Sequence, residues 1–217
     1  PSANMPIGAS VVLPSIAITG QRDLEALPTD SASERRISGE TLNTRPIERP
    51  GEMLEAAPGL IVTQHSGEGK ANQYFLRGFN LDHGTDIATS VDGMPVNMRT
   101  HAHGQGYTDL NFFIPELASG IEFTKGPYFA QHGDFSSVAT VRIGYVNEMP
   151  DQATVTLGTL GYKRLFTAGT KEALGGRIMS GLEVVHYDGP WEPSNNVRTI
   201  NAVFRYSQGE ANEGFSI

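Results

Sequence analysis

The strand-forming segments of this chain become longer after Pro150, and this change limits the folds that the chain can adopt. Between residues 37 and 147, short apolar runs are separated by glycine, proline and aspartate. Such short elements are typical of a small domain that combines helices and strands. The residues after Pro150 contain longer strand candidates, joined by turn-rich segments. These candidates are QATVTLGTLGYKRLFTAGT, GGRIMSGLEVVHYDG and VRTINAVFRYSQ.

The last of these candidates has one apolar and one mostly polar face, because side chains two residues apart lie on the same side of a strand. The apolar face carries Ile200, Ala202, Phe204 and Tyr206, and the other face carries Thr199, Asn201, Val203 and Arg205. A soluble sandwich shows the same alternation as a membrane-spanning barrel, whose strands need only about 10 residues each. The pattern leaves both architectures open.

Residues 37–147 are predicted to form a compact α+β domain with short helices and a small mixed sheet. The segment RPGEMLEAAPG begins a helix near Pro50 and ends it at Pro58 and Gly59, in agreement with the positions that proline and glycine favour. The segment IATSVDGMPV predicts a hairpin that turns at Asp92 and Gly93, since these residue types adopt positive φ at low cost. Further strands are predicted in LIVTQHS, YFLRGF, IEFTKGP and SSVATVRIGYV.

Residues 1–36 contain proline, serine and small residues without a sustained period, which predicts an extended or mobile arm. Within this arm, SIAITGQR (Ser15–Arg22) is a β-prone run that follows Pro14. It is either an edge strand of the nearest sheet or a strand that is offered to the sheet of a partner protein.

Composition argues against several classes of function. The net charge is −8 and the basic residues are not clustered, so a nucleic-acid partner is not expected. The chain has no cysteine, which removes disulfides, thiolate metal sites and cysteine nucleophiles. Its most apolar early stretch, Val11–Ile18, is too short to cross a membrane as a helix and has no charged leader.

An enzyme is not expected either, because the sequence has no nucleophile elbow, Walker loop, zinc-protease helix motif or dinucleotide fingerprint. The one reaction that its residues suggest is metal-assisted hydrolysis at His101, His103 and Asp109. The same residues fit a ligand-binding loop, and this is the interpretation that we adopt.

Five motifs follow one another in order along the chain: GEMLEAAPGLIV (51–62), YFLRGFN (74–80), TSVDGMPVN (89–97), IEFTKGP (121–127) and QHGDFSSVATVRI (131–143). Together they resemble the plug domain of TonB-dependent outer-membrane receptors. The resemblance implies a plug over residues 37–147, followed in residues 148–217 by about three of the first antiparallel strands of a transmembrane β-barrel. It also makes Ser15–Arg22 similar to the TonB box, with the strand residues Ser15, Ile16, Ala17, Ile18 and Thr19.

The resemblance implies energy-dependent uptake of a scarce nutrient across the outer membrane, such as a metal ion or a metal chelate of the siderophore type. The plug would lie in the barrel lumen with a periplasmic N-terminus. The implied partners are the TonB complex of the inner membrane, an extracellular small ligand and outer-membrane lipid. No cofactor is implied beyond a metal ion or chelate carried as ligand.

The sequence departs from the family pattern in two respects. Ser136–Ala139 stands where a glycine pair is common, although serine and alanine are small enough for a strand to form. A closed barrel of about 22 strands also needs several hundred residues more than follow Pro150. The alternatives to transport are therefore a non-transporting binding or signalling module and a truncated receptor remnant.

Three charged residues in the motifs are predicted to join the plug to the barrel wall. They are Arg77, Glu122 and Lys125. Charges that lose water on docking need partners of opposite sign, and charges on the wall would supply them. Contact with the ligand is the alternative role for the three side chains.

The segment between the hairpin and IEFTKGP corresponds to an apical loop that faces the outside in this family. In an extended segment, His101 and His103 lie on one side and provide half of a metal site. Asp82, His83 and Asp109 are candidate further ligands for zinc or another borderline divalent ion. Arg99 favours instead a chelate that carries carboxylate or phosphate. The alternative is that both histidines are hydrated loop residues or bond the barrel wall.

Overall fold

The computed structural model describes residues 33–65, 68–209 and 215–217, so the candidate TonB box at Ser15–Thr19 lies outside the described residues. The strands are β1 (Glu34–Ser38), β2 (Leu60–Thr63), β3 (Gln73–Leu76), β4 (Phe79–Asn80), β5 (Ile87–Val91), β6 (Met94–Pro95), β7 (Ala118–Lys125), β8 (Ala139–Tyr145), β9 (Gln152–Leu157), β10 (Lys163–Ala173), β11 (Gly176–Tyr187), β12 (Val197–Gln208) and β13 (Phe215–Ser216). The helices are the α-helix α1 (Gly39–Asn43) and the 3₁₀ segments Pro50–Ala56, Pro115–Leu117 and Ala130–His132.

The first part of the chain is an α+β domain built on a mixed five-stranded sheet, as predicted. Its strand order is β1-β7-β8-β5-β6, and β5 and β8 pair in parallel while the other neighbours are antiparallel. A three-stranded sheet, β2-β3-β4, lies beside it. The shared core contains buried side chains from helices, strands and loops, among them Leu42, Leu54, Tyr74, Ile87, Phe113, Ile121 and Val141.

Several local elements differ from their sequence predictions. YFLRGF is a hairpin rather than one strand, because Arg77 and Gly78 both have positive φ (52° and 84°) and reverse the chain. The segment that begins at Pro50 is a 3₁₀ helix, closed at Gly59 with φ 85°. The sheet takes in residues assigned to the arm, since β1 begins at Glu34 and pairs with β7. The hairpin turn at Asp92 and Gly93 is confirmed, with φ of 48° and 78°.

The second sheet is antiparallel throughout, in the order β13-β12-β11-β10-β9. The sequence suggested about three strands here. The first candidate divides into β9 and β10, because Leu160 and Gly161 adopt positive φ (55° and 74°) and turn the chain between them. Within the described residues no helix is both long and apolar enough to cross a membrane.

The outer face of the second sheet is apolar and exposed. One row of directly paired residues crosses four strands, from Val155 through Leu165 and Val184 to Ile200. Their exposed fractions are 69%, 42%, 37% and 73%. A soluble sandwich buries its apolar face, whereas a barrel strand turns that face outward to lipid. The exposed row has the arrangement of a barrel strand, one of the two that the alternation in the sequence left open.

The inner face of this sheet packs on the α+β domain through an apolar cluster. Ile114 and Leu117 of the domain contact Phe166, Ala168 and Met179 of the sheet, and all five are buried. Gly181 leaves room for this contact, because a Cβ atom there would lie 2.6 Å from the Leu117 side chain.

Polar side chains surround the apolar contact. Arg164 of β10 forms ion pairs with Glu116 of the domain and with Glu183 of β11, each at 2.7 Å. Asn201 of β12 donates to Glu183 (2.9 Å) and to the backbone carbonyl of Asn111 (2.8 Å). Farther along β12, Arg205 pairs with Asp92 at the hairpin turn. The domain therefore meets the sheet through a dry centre and a ring of charge-assisted hydrogen bonds.

Candidate ligand site at the histidine loops

Asp82 and His83 lie on a tight turn that follows the β3–β4 hairpin. Two backbone hydrogen bonds extend the hairpin: the Tyr74 N–H donates to the Asp82 carbonyl (2.9 Å), and the Leu81 N–H donates to the Tyr74 carbonyl (2.8 Å). The Asn80 side chain accepts from the backbone N–H of Asp82 (2.9 Å), and Asp82 has a φ of 48°. This local geometry places the Asp82 and His83 side chains beside the loop that carries His103.

His83 is the most constrained member of the site. Its side chain is 2% exposed, and its Nδ1 lies 2.9 Å from the Ala71 carbonyl and 3.0 Å from the Asn72 carbonyl. Carbonyl oxygens only accept hydrogen bonds, so Nδ1 carries the proton and neutral His83 has its lone pair on Nε2. That Nε2 atom is buried and has no hydrogen-bond partner among the described residues.

Asp82, His83 and His103 come together around this lone pair. Their candidate ligand atoms all lie within 4.8 Å of one another, and the Asp82 Oδ1 atom is 3.8 Å from the His83 Nε2 atom. The His83 and His103 rings are edge to face, with centroids 4.5 Å apart. One buried and two more exposed side chains thus offer nitrogen and oxygen donors to one point at the surface.

His101 takes a different position from the one expected for half of a metal site. Its ring stacks on Tyr107 with centroids 4.0 Å apart, and its Nδ1 accepts a hydrogen bond from the His103 N–H (3.2 Å). The structure therefore brings His103 together with Asp82 and His83 rather than with His101. The proposed role of His101 in metal binding stays a prediction.

The other two predicted ligand residues lie on neighbouring surfaces. Asp109 accepts from the backbone N–H of Asn111 (2.8 Å) in a local turn. Its charge adds to burial in raising the pKa of Tyr74. Arg99 lines a groove with His132, Asp134 and Arg142, whose described lining contains none of the three clustered residues. Burial and nearby Arg142 lower the pKa of His132 in that groove.

Two of the three predicted wall contacts, Glu122 and Lys125, have partners within the α+β domain. Glu122 pairs with Arg36 (3.4 Å) and Arg142 (3.2 Å) on the neighbouring strands. Lys125 donates to the Pro58 carbonyl (2.7 Å), and burial together with Arg77 lowers its pKa. Arg77 is exposed at the β3–β4 turn. That these residues also contact a barrel wall stays a prediction.

Asn97 holds the histidine loops in place, a role that the sequence did not reveal. Its side chain accepts from the Thr89 N–H (2.7 Å) and reaches the carbonyls of Gly84 (3.0 Å), Ile87 (2.9 Å) and Gly106 (3.0 Å). One amide therefore ties the turn after His83 to the loop that carries His103. Asparagine is frequent in turns for local reasons, so its spacing gives no signal of this longer-range role.

Tyr107 forms a second brace that was missed. Its hydroxyl accepts from the Ala71 N–H (2.8 Å), while its ring stacks on His101. The Ala71 carbonyl in turn holds the Nδ1 atom of His83. An aromatic residue among the glycines of HGQGY was the available sequence signal.

A short series of hydrogen bonds joins the cluster to the second sheet. The Asn201 side chain donates to the Asn111 carbonyl (2.8 Å), and the Asn111 side chain donates to the Lys70 carbonyl (3.1 Å). Lys70 precedes Ala71, whose carbonyl bonds His83. The backbone beside the candidate site is therefore fixed to β12.

A small mixed-sheet domain packed against the inner face of a sheet whose outer face is apolar defines the plug-and-barrel class of membrane proteins. The sequence model of the TonB-dependent Receptor Plug Domain matches residues 27–140, more than half of the 217-residue chain. The chain belongs to the TonB-dependent receptor family. The families of this class are outer-membrane receptors, which confirms the prediction of a receptor rather than an enzyme.

Solved structures of such receptors share the fold. The copper transporter OprC aligns with a TM-score of 0.61 and 16% identity over 84% of this chain and 29% of its own. A mutant of the ferric enterobactin receptor PfeA from Pseudomonas aeruginosa, in complex with enterobactin, gives 0.60 and 17% over 86% and 33%. The siderophore receptor PirA from Acinetobacter baumannii gives 0.59 and 17% over 86% and 31%. The chain thus spans about a third of the length of these receptors.

Proposed function

We propose that the receptor to which this chain belongs imports a scarce nutrient, a metal ion or a metal chelate, across the outer membrane. The plug closes the lumen until the ligand arrives from outside, and the inner-membrane TonB complex supplies the work of opening. The metal is cargo in this proposal and not a resident cofactor.

The observation that carries the proposal is the packing of the plug on the inner face of a sheet whose outer face is apolar and exposed. The row from Val155 to Ile200 is exposed on the outer face, while Arg164, Glu183 and Asn201 turn inward and bond the domain. The polar ring around the small apolar centre suits a domain that must stay in the lumen at rest and shift during transport, since its hydrogen bonds can exchange with water.

The names of the structural neighbours support a metal-containing cargo. One is a copper transporter and the others are receptors for ferric enterobactin or for siderophores. At identities of 16–17%, the cargo of a neighbour does not carry over to this chain, so the cargo must be argued from the residues of the chain itself. The histidine and aspartate donors at the plug surface are compatible with metal cargo.

Coupling to the TonB complex is assigned to the arm. Ser15, Ile16, Ala17, Ile18 and Thr19 form the proposed strand, which pairs with a sheet edge of the periplasmic partner. Main-chain hydrogen bonds along a paired strand share a pulling load, so this mode of binding transmits force.

The experiment that tests transport is uptake of radioactive metal by cells that carry the intact receptor. Ile18→Pro removes a backbone donor from the proposed strand and should abolish uptake while surface binding persists. Ile18→Val is the matched control and should retain uptake. Uptake by the proline variant equal to that of the control would remove Ser15–Thr19 from the role. Binding without uptake in cells that carry the unaltered receptor would favour the non-transporting module.

A further inference from the structure

We infer that Asp82, His83 and His103 bind a bare borderline divalent ion of the Zn²⁺ type directly, as an entry site on the plug. This inference deepens the proposed function and rests on it for the meaning of the site as a cargo site. The ion is the ligand here, without an organic chelator.

The first support is the state of His83. Two backbone carbonyls fix the proton on Nδ1, at 2.9 and 3.0 Å, and the lone pair on Nε2 stays buried without a partner in the described structure. A buried acceptor without a partner costs about 1–3 kcal/mol. Histidine ligands of metals usually donate the second ring N–H in this way, which fixes the tautomer and the ring.

The second support is that acceptors converge on this lone pair. The lone pairs of a carboxylate oxygen and of two imidazole nitrogens repel one another unless a cation or a proton lies between them. The 3.8 Å separation of Asp82 Oδ1 and His83 Nε2 is too long for a hydrogen bond. It is close to the separation of about 3.4 Å that two ligands have around a tetrahedral ion with bonds of about 2.0–2.1 Å.

The donor atoms must come closer together to bind one ion, and the side chains that have to rotate for this are free to do so. His103 is exposed and Asp82 is half-buried, so rotation of these two closes the 4.8 Å spread of the donor atoms around a rigid His83. One fixed donor, two adjustable donors and an open fourth position suit an ion that must leave again.

The donor set selects the kind of ion. The chain has no cysteine, and imidazole with a single carboxylate suits Zn²⁺ and its neighbours rather than Mg²⁺ or Ca²⁺, which prefer six or more oxygen ligands. One carboxylate gives the site a charge of about −1, and the described lining of the groove beside Arg99 contains none of the three cluster residues. A divalent cation is therefore favoured over an anionic chelate at this point.

The test is calorimetric titration of Zn²⁺ into the intact receptor in detergent, purified through a tag that contains no histidine. His83→Asn keeps an N–H at the position of Nδ1 and removes Nε2, so it should retain the fold and weaken Zn²⁺ binding by at least about tenfold. Asp82→Asn and His103→Gln, at more exposed positions, should weaken binding by a similar factor. His132→Asn, a histidine on another loop, should leave the affinity unchanged, and Mg²⁺ should not compete.

Co²⁺ provides a second readout, because a four-coordinate site gives much stronger visible absorption, at longer wavelength, than the weakly absorbing hydrated ion. This band should appear with the unaltered receptor and be lost in His83→Asn. Zn²⁺ affinity in all three cluster variants equal to that of the unaltered receptor would overturn the inference, as would a loss in His132→Asn that matches the loss in His83→Asn. Binding that requires an added chelator such as citrate would also overturn it. In each of these cases, persistent uptake that depends on Ile18 would leave the proposed import function standing.

Discussion

Arg164 of β10 donates two parallel hydrogen bonds to Glu116 of the plug, from Nη1 to Oε1 at 2.7 Å and from Nη2 to Oε2 at 2.8 Å. Its Nε atom bonds Glu183 at 2.7 Å, and the Glu183 side chain is only 7% exposed. A planar guanidinium is the one side chain that can hold two carboxylates in this geometry. Arg164 is thus the main polar link between the plug and the second sheet.

Arg164→Gln should weaken this link. The substitution leaves the buried carboxylate of Glu183 without a counter-charge, and the expected loss is about 3 kcal/mol in the free energy of unfolding. Chemical denaturation of the intact receptor in detergent measures this loss. The matched control is Arg177→Gln, whose pair with Glu148 is exposed (40% and 61%) and should change stability by less than about 1 kcal/mol. Equal effects of the two substitutions would contradict the assignment.

Ile200→Lys tests the orientation of the second sheet. Ile200 is 73% exposed on the apolar outer face. If that face meets lipid, a lysine there should destabilise the receptor folded in phosphatidylcholine vesicles by about 2–4 kcal/mol near the bilayer midplane and by less toward the interfaces. Thr199→Lys, on the next residue and the opposite face, should be tolerated because Thr199 lines a groove with Glu48, Glu116 and Glu183. A sheet that faced water would give the reverse order or no difference.

Asn97→Asp should loosen the histidine loops at almost unchanged volume. The new carboxylate faces the carbonyls of Gly84, Ile87 and Gly106 and has no N–H to donate. The expected cost is about 3 kcal/mol, concentrated in the loop that holds His103. Hydrogen exchange of residues 98–107, followed by mass spectrometry, should accelerate.

The matched control for that substitution is Asn80→Asp. The Asn80 oxygen accepts from the Asp82 N–H (2.9 Å), and an aspartate can accept in the same way. Exchange in residues 98–107 should stay as in the unaltered receptor. Acceleration of the same size in both variants would show that Asn97 is not the special support of these loops.

Alkaline pH should destabilise the plug through its buried phenols. Burial and nearby Asp92 raise the pKa of Tyr145 to about 12, and burial raises the pKa of Tyr74 as well. An unfolded tyrosine ionises near pH 10. The folded state therefore holds more protons above that pH, so its stability is complete below about pH 10 and falls as the pH rises toward 12.

Tyr145→Phe should reduce this pH dependence. The ring stacks on Phe113 with centroids 4.7 Å apart, and phenylalanine preserves that contact while removing the ionisable group. Unfolding measured at several pH values from about 9 to about 12 should show a shallower loss of stability in this variant than in the unaltered receptor. An unchanged slope would assign the alkaline effect to other groups.

Much of the fold followed from local rules in the sequence. Asp92 and Gly93 turn as predicted because aspartate and glycine adopt positive φ at low cost, whatever packs around them. The alternation along β12 reappears as its two faces for the same reason, since it depends only on the two-residue repeat of a strand. The hairpin at Arg77 was missed because a positive φ at arginine is rare without support from the surrounding strands.

The candidate site was predicted only in part. The sequence named Asp82, His83 and His103 among the candidate ligands, and the structure brings these three side chains together. Spacing along the chain, however, suggested His101 as the partner of His103. In the structure, Tyr107 stacks on His101, and two carbonyls of a distant segment hold His83. No local pattern encodes contacts between residues more than ten positions apart.

The sequence by itself determined the class of domain, the turn at Asp92 and Gly93 and the two faces of β12, because these depend on backbone preferences and on side chains close in the chain. Only the tertiary structure decided which face lies outward, which charges join plug to sheet and which histidines meet. Those outcomes depend on which distant surfaces exclude water together, and burial of that kind is a property of the folded molecule as a whole.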